Sequence, residues 1–242
     1  MSEARPAFYS LAPGGWRDYV TLLHPPYTLW HLSYVVIGAA LAPHFDAALV
    51  GWTLGAFFLA LGVGAHALDE LRGHPLRLQI PTRVLVALAL TSVAAAAAIG
   101  IVIAARQDLW LLVFVGAGAF LVFAYNLELF GGAFHSDAWF ALGWGAFPLL
   151  TAYFASARTV RVEALAAAGF AVLLSHTQRI LSTQVRDVRR RVTAVTGRID
   201  FADGRAAAIE AETLTRVPER ALRALCGAVI VLAVALVLLR VT

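Results

Sequence analysis

Seven apolar stretches occupy more than half of the chain: Tyr27 to Leu41, Leu49 to Leu68, Val84 to Ala105, Leu109 to Phe130, Ala138 to Ala155, Ala164 to Leu181 and Leu222 to Leu239. A helix of about 20 apolar residues spans the hydrocarbon core of a bilayer, and most of these stretches approach or reach that length. With 60% hydrophobic and only 14% charged residues, the chain cannot cover itself with the polar surface of a water-soluble domain. Each stretch is continuously apolar instead of alternating, which selects helices over barrel strands. The expected fold class is therefore all-α, a polytopic membrane bundle of about seven transmembrane helices.

Arginine fixes the expected orientation, because cytoplasmic loops of membrane proteins collect cations. Arg5 and Arg17 precede the first stretch, Arg72, Arg77 and Arg83 follow the second, and ten arginines from Arg179 to Arg223 accompany or follow the end of the sixth. Alternation puts all of these on one side and leaves Arg106, Arg158, Arg161 and Arg240 on the other. The N-terminus is expected in the cytoplasm, the C-terminus outside, and the chain in the cytoplasmic membrane of a bacterium. The net charge of +4 sits in these loops without interleaved aromatics, so no nucleic-acid partner is expected.

Residues 1–26 read as an N-terminal interfacial segment without the apolar run of a cleaved signal, and residues 27–242 as the membrane domain. Gly15 to Leu23 suits a short interfacial helix ended by Pro25 and Pro26. A cytoplasmic loop is expected at about 182–220, with helical composition over Ala206 to Leu214 and Pro218 in a first helical turn. Pro148 predicts a kink in the fifth span, of the kind that borders cavities. Cys226, the single cysteine, lies inside the last span, so neither a disulfide nor a thiolate metal site can form within the chain.

Ionisable groups collect at the cytoplasmic ends of spans two, four and six, where polar side chains at membrane depth mark function when they face the bundle interior. After span two, His66, Asp69 and Glu70 follow one another at i, i+3 and i+4, a set able to hold a divalent ion or move a proton; a helix end meeting headgroup water is the plainer alternative. Arg77 stands in the loop beyond. After span six come His176, Gln178 and Asp187, with Arg186, Arg190 and Arg191 either anchoring an anionic leaflet or forking onto phosphate. Tyr125 and Asn126 end span four, with His135 and Asp137 opening the next, as parts of a pocket wall or of an aromatic belt. No sustained pairing of histidines on facing helices suggests haem, and no acid near the midplane suggests a transporter.

The order of these motifs resembles the UbiA-type intramembrane prenyltransferase superfamily over most of residues 20 to 200. His24-Pro-Pro-Tyr-Thr-Leu-Trp30 followed by Val36 to Ala42 is similar to the family's approach to its first helix. Ala65 to Pro81 falls where the first aspartate motif belongs, and Gln184-Val-Arg-Asp-Val188 where the second does. Tyr125-Asn and Ala141 to Leu150 look like the passage from helix four to helix five in quinone-biosynthesis members. The family's first motif, NxxxDxxxD, is here Ala65, Asp69 and Gly73, and each of the two motifs keeps one acid. The family also has nine helices, two more than this chain offers.

The resemblance implies an enzyme acting on an isoprenoid diphosphate in a lipid-facing cavity, by prenyl transfer to an acceptor or by cyclisation. It implies Mg2+ held by Asp69 and Asp187, to which the residues themselves add Glu70 and His66 as further ligands. Asp69, Asp187 and Tyr125 are the expected catalytic residues. Arg186, Arg190, Arg191, Asn126, Gln178, His176 and Arg77 are the expected substrate contacts, with the arginines also able to replace metal charge. Trp30, Trp139, Trp144 and Tyr125 would face an allylic cation. The thinned aspartate motifs keep a second possibility open, a non-catalytic protein that binds an isoprenoid or other lipid or supports a partner, and a homo-oligomer would close a pocket that fewer helices leave open.

Overall fold

The computed structural model describes residues 5–242. The first four residues of the expected N-terminal segment lie outside the described residues. The principal helices are α1 (Trp16–Leu22), α2 (Pro25–Leu41), α3 (Ala47–Leu71), α4 (Thr82–Arg106), α5 (Leu111–Asn126), α6 (Asp137–Ala157), α7 (Val162–Arg191) and α8 (Ala211–Val241). Among the described residues, α3, α4, α6, α7 and α8 are long and apolar enough to cross a membrane, while α5 is a shorter apolar helix of 16 residues and α2 has 17. Their outer faces carry exposed Leu90, Ile101, Val113, Leu173 and Val231, a surface suited to lipid and costly in water. The chain is thus a membrane-embedded helical bundle, supplemented by one small hairpin.

α2 occupies the centre, packed between α6 and α8, while α4 packs on the middle of α3 and on α5. Small residues set these distances, as expected where helices associate by close van der Waals contact in lipid. A methyl group on Gly38 of α2 would strike the Leu149 carbonyl of α6. One on Gly145 would lie 2.7 Å from the Ala171 carbonyl oxygen of α7. Fully buried Trp30 donates from Nε1 to Tyr34 Oη at 2.6 Å, and Ser175 of α7 donates to the same oxygen at 3.2 Å, so the aromatic core of α2 is tied to α7.

Two π-helical segments interrupt the long helices, Phe58–Ala65 in α3 and Ala141–Ala146 in α6. The second lies just before Pro148, whose missing N–H leaves the Trp144 carbonyl without its usual helical donor. His31 fills the vacancy from α2, its Nδ1 lying 2.9 Å from that oxygen. The proline marked in the sequence thus creates an acceptor that a buried imidazole serves.

The loop connecting α3 to α4 is held by two buried acids. Glu70 accepts from the Leu76 and Leu78 amides, each at 3.0 Å, and Asp18 of α1 accepts from the Gly14 and Gln79 amides at 2.9 and 3.0 Å. The helix after Leu181 differs from expectation. α7 has 30 residues, roughly 45 Å at the rise of an α-helix, and outruns a hydrocarbon core about 30 Å thick. The expected loop at 182–220 therefore shrinks to 192–210.

Ala206–Ala208 is not helical: it pairs antiparallel with Arg198–Asp200 as an exposed hairpin. Pro218 lies eight residues into α8 rather than in its first turn. It frees the Leu214 carbonyl, which Gln184 of α7 reaches through Nε2 at 3.3 Å.

Candidate functional site

The ends of α2, α3, α5, α6 and α7 enclose a cavity of about 100 Å³, roofed by Pro6, Ala7, Phe8 and Tyr9. It shares Asp69, Asn126, His135, Arg179, Arg186 and Arg190 with a wider polar mouth of about 670 Å³. The mouth adds Arg72, Glu128, Asp137, Thr183, Asp187 and Arg191. Thr183, Arg186, Asp187 and Arg190 follow one another along one side of α7 because residues three and four apart share a helix face.

The inner wall is aromatic and polar at once. Tyr125 stacks on His135 at 4.5 Å and packs on Trp144 at 4.5 Å, while Phe140 stacks on Trp144 at 5.7 Å and lies under the Arg179 guanidinium at 5.4 Å. His24 stacks on His66 with ring centroids 4.0 Å apart and meets the Tyr9 hydroxyl through Nδ1 at 3.0 Å. His66 Nδ1 faces the Gly62 carbonyl at 3.1 Å. A carbonyl only accepts, so Nδ1 of His66 and of His31 carries a proton, and in the neutral ring Nε2 of each is left as an acceptor. Burial, followed by the charges of His66, Arg190 and Arg186, pushes the His24 imidazole well below its ordinary value. Burial likewise pushes the Tyr9 phenol up.

Two buried polar atoms in this wall, Tyr125 Oη and Gln178 Oε1, have no hydrogen-bond partner among the described residues. A buried unsatisfied polar atom costs about 1–3 kcal/mol. Both belong to residues that line one cavity.

Most of the residues singled out in the sequence converge here. Asp69, His66, Tyr125, Asn126, Gln178, Arg186 and Arg190 line the inner cavity, and Asp187 and Arg191 line the mouth. Three lie elsewhere. Glu70 is buried with both carboxylate oxygens given to loop amides, because consecutive helical residues diverge by about 100°, which turns it away from Asp69. His176 is exposed on the outer face of α7, and Arg77 is exposed in the loop before α4; neither lines the cavity. Of the expected aromatic faces, Trp144 and Tyr125 reach the cavity, whereas Trp30 is sealed against Tyr34 and Trp139 packs on Phe134 at 4.8 Å.

Sequence reasoning missed Tyr9, His24, Arg179 and the roof residues as parts of one site. The spacing of Arg179, Arg186 and Arg190, seven and eleven residues from the first, carries a signal of two and three helical turns. Nothing local in Pro6 to Tyr9 announces a roof; it is fixed at long range, by Arg190 Nε donating to the Pro6 carbonyl at 3.3 Å and an Arg189 guanidinium N–H donating to that of Arg5 at 3.2 Å.

The donor set does not match a pair of divalent ions. Among the described residues no three His, Cys, Asp or Glu side chains come together in a way that could hold a metal. Asp187 is paired with Arg191 at 3.0 Å, and Glu70 is spent on the loop. No family model matches the chain, and no curated protein or solved structure matches it either.

Proposed function

We propose that the chain is a UbiA-like membrane enzyme acting on an isoprenoid diphosphate, with seven membrane spans and a cytoplasmic N-terminus. The observation that carries this reading is the continuity of an arginine-rimmed mouth with an aromatic cavity at one end of an apolar bundle. Arg186 and Arg190 take the diphosphate, which guanidinium forks match in shape and charge. The isoprenoid lies toward the bundle. When the allylic C–O bond breaks, its electron pair leaves with the diphosphate, and the carbon cation left behind faces Tyr125, Phe140 and Trp144, whose rings attract cations. An acceptor nucleophile, or a double bond of the same chain, closes the vacancy; Asp69 and Nε2 of His66 stand on the wall as acceptors for the proton released.

The second reading, a protein that binds an isoprenoid or lipid without turnover, is favoured by one observation, the absence among the described residues of a metal-capable cluster. Release of diphosphate from geranyl, farnesyl or geranylgeranyl diphosphate by the purified protein separates the two. The proposal expects release from at least one chain length. Saturable binding with no release from any of them would replace the enzyme by the binding protein.

A further inference from the structure

We infer that this site grips its diphosphate by guanidinium groups alone, with no divalent metal bridging the anion to protein carboxylates. The inference rests on the diphosphate reading and deepens it. Four carboxylates stand at the mouth, and three already hold a cation: Glu128 with Arg72 at 3.0 Å, Asp137 with Arg179 at 2.8 Å and Asp187 with Arg191 at 3.0 Å. Among the described residues only Asp69 is left, and one carboxylate is a thin supply for an ion that seeks several hard oxygens in octahedral array.

The cations are arranged the opposite way. Arg186 and Arg190 form no ion pair among the described residues; Arg186 donates to Thr183 Oγ1 at 2.9 Å and Arg190 to the Pro6 carbonyl at 3.3 Å. Each guanidinium has five N–H donors, so most remain for a ligand. Their spacing of four residues sets two like charges side by side on α7, an arrangement that repels unless an anion lies between them. The same field opposes a divalent cation and favours a diphosphate. Tyr125 and Gln178, whose Oη and Oε1 have no hydrogen-bond partner among the described residues, line the cavity that continues from this rim.

The test is calorimetric titration of the full chain, in phosphatidylcholine nanodiscs, with inorganic pyrophosphate and with farnesyl diphosphate, in EDTA and in magnesium. Binding in EDTA is expected, and magnesium, which itself sequesters pyrophosphate, leaves it equal or weaker. Arg186→Gln and Arg190→Gln should each weaken it at least about tenfold, the scale of a lost charged hydrogen bond. Arg186→Lys, which keeps charge without the fork, should fall between. Asp187→Asn should bind as well as the parent or better, since it releases Arg191.

Binding that appears only with magnesium and vanishes in Asp187→Asn would overturn the metal-free grip and leave the diphosphate reading standing. No binding of either ligand in either condition would overturn both. Loss of the pyrophosphate signal when a third of the lipid is phosphatidylglycerol would give the guanidinium site to a lipid headgroup and overturn the inference.

Discussion

His24 shows how far a single side chain is set by its surroundings. Among the described residues it has no carboxylate partner; it sits between Tyr9 and the parallel ring of His66, within the field of Arg190 and Arg186. Its affinity for protons in the folded state is accordingly depressed, whereas in the unfolded chain it takes a proton near pH ~6.5. Below that value the unfolded state gains a proton that the native state refuses, so stability is full above it and falls as the pH drops toward the lower native value. Thermal unfolding between pH 8 and 5 should show this loss, and His24→Asn should make it shallower. Parallel curves for the two proteins would show that His24 is not the group concerned. The sequence placed His24 beside a proline pair but offered no local sign of its ring partner, because His66 is far along the chain and meets it only through the return of α3.

At the scale of elements, the loop between α3 and α4 depends on Glu70 much more than on its own composition. Both Glu70 oxygens accept backbone amides in a buried setting, so Glu70→Ala should cost about 2–4 kcal/mol, and a melting curve in EDTA should show the same deficit as one in magnesium. A deficit appearing only with magnesium would return Glu70 to the role of metal ligand. The spacing of His66, Asp69 and Glu70 was legible as a polar helix end, yet spacing alone did not tell which of two adjacent acids faces inward. That choice belongs to the packing of α3 on α4 and to the amides of the following loop. The arginine stripe of α7 was legible because its period is helical. The hairpin at Arg198 to Ala208 was not, since three consecutive alanines favour a helix and only the pairing with Arg198–Asp200 makes them a strand.

For the whole molecule, apolar length and arginine bias were sufficient to read a membrane bundle with its polar side chains gathered at one end, and the cavity opens at that end. What length could not supply was the closure of the site by residues 6–9, which depends on contacts from Arg189 and Arg190, 184 residues further along the chain than their partners. Alkaline phosphatase fused after Thr242 should be active outside the cytoplasm, and fused within the 198–208 hairpin inactive; the reverse pattern would invert the proposed orientation. If the arginine rim and aromatic cavity form one site for cleaving a prenyl diphosphate, single-turnover diphosphate release from farnesyl diphosphate and its shorter and longer homologues depends on the rim. Release by the parent protein is expected, with at least a hundredfold loss in the Arg186→Gln/Arg190→Gln double variant and folding retained by thermal melting. Undiminished release from that folded variant would contradict it.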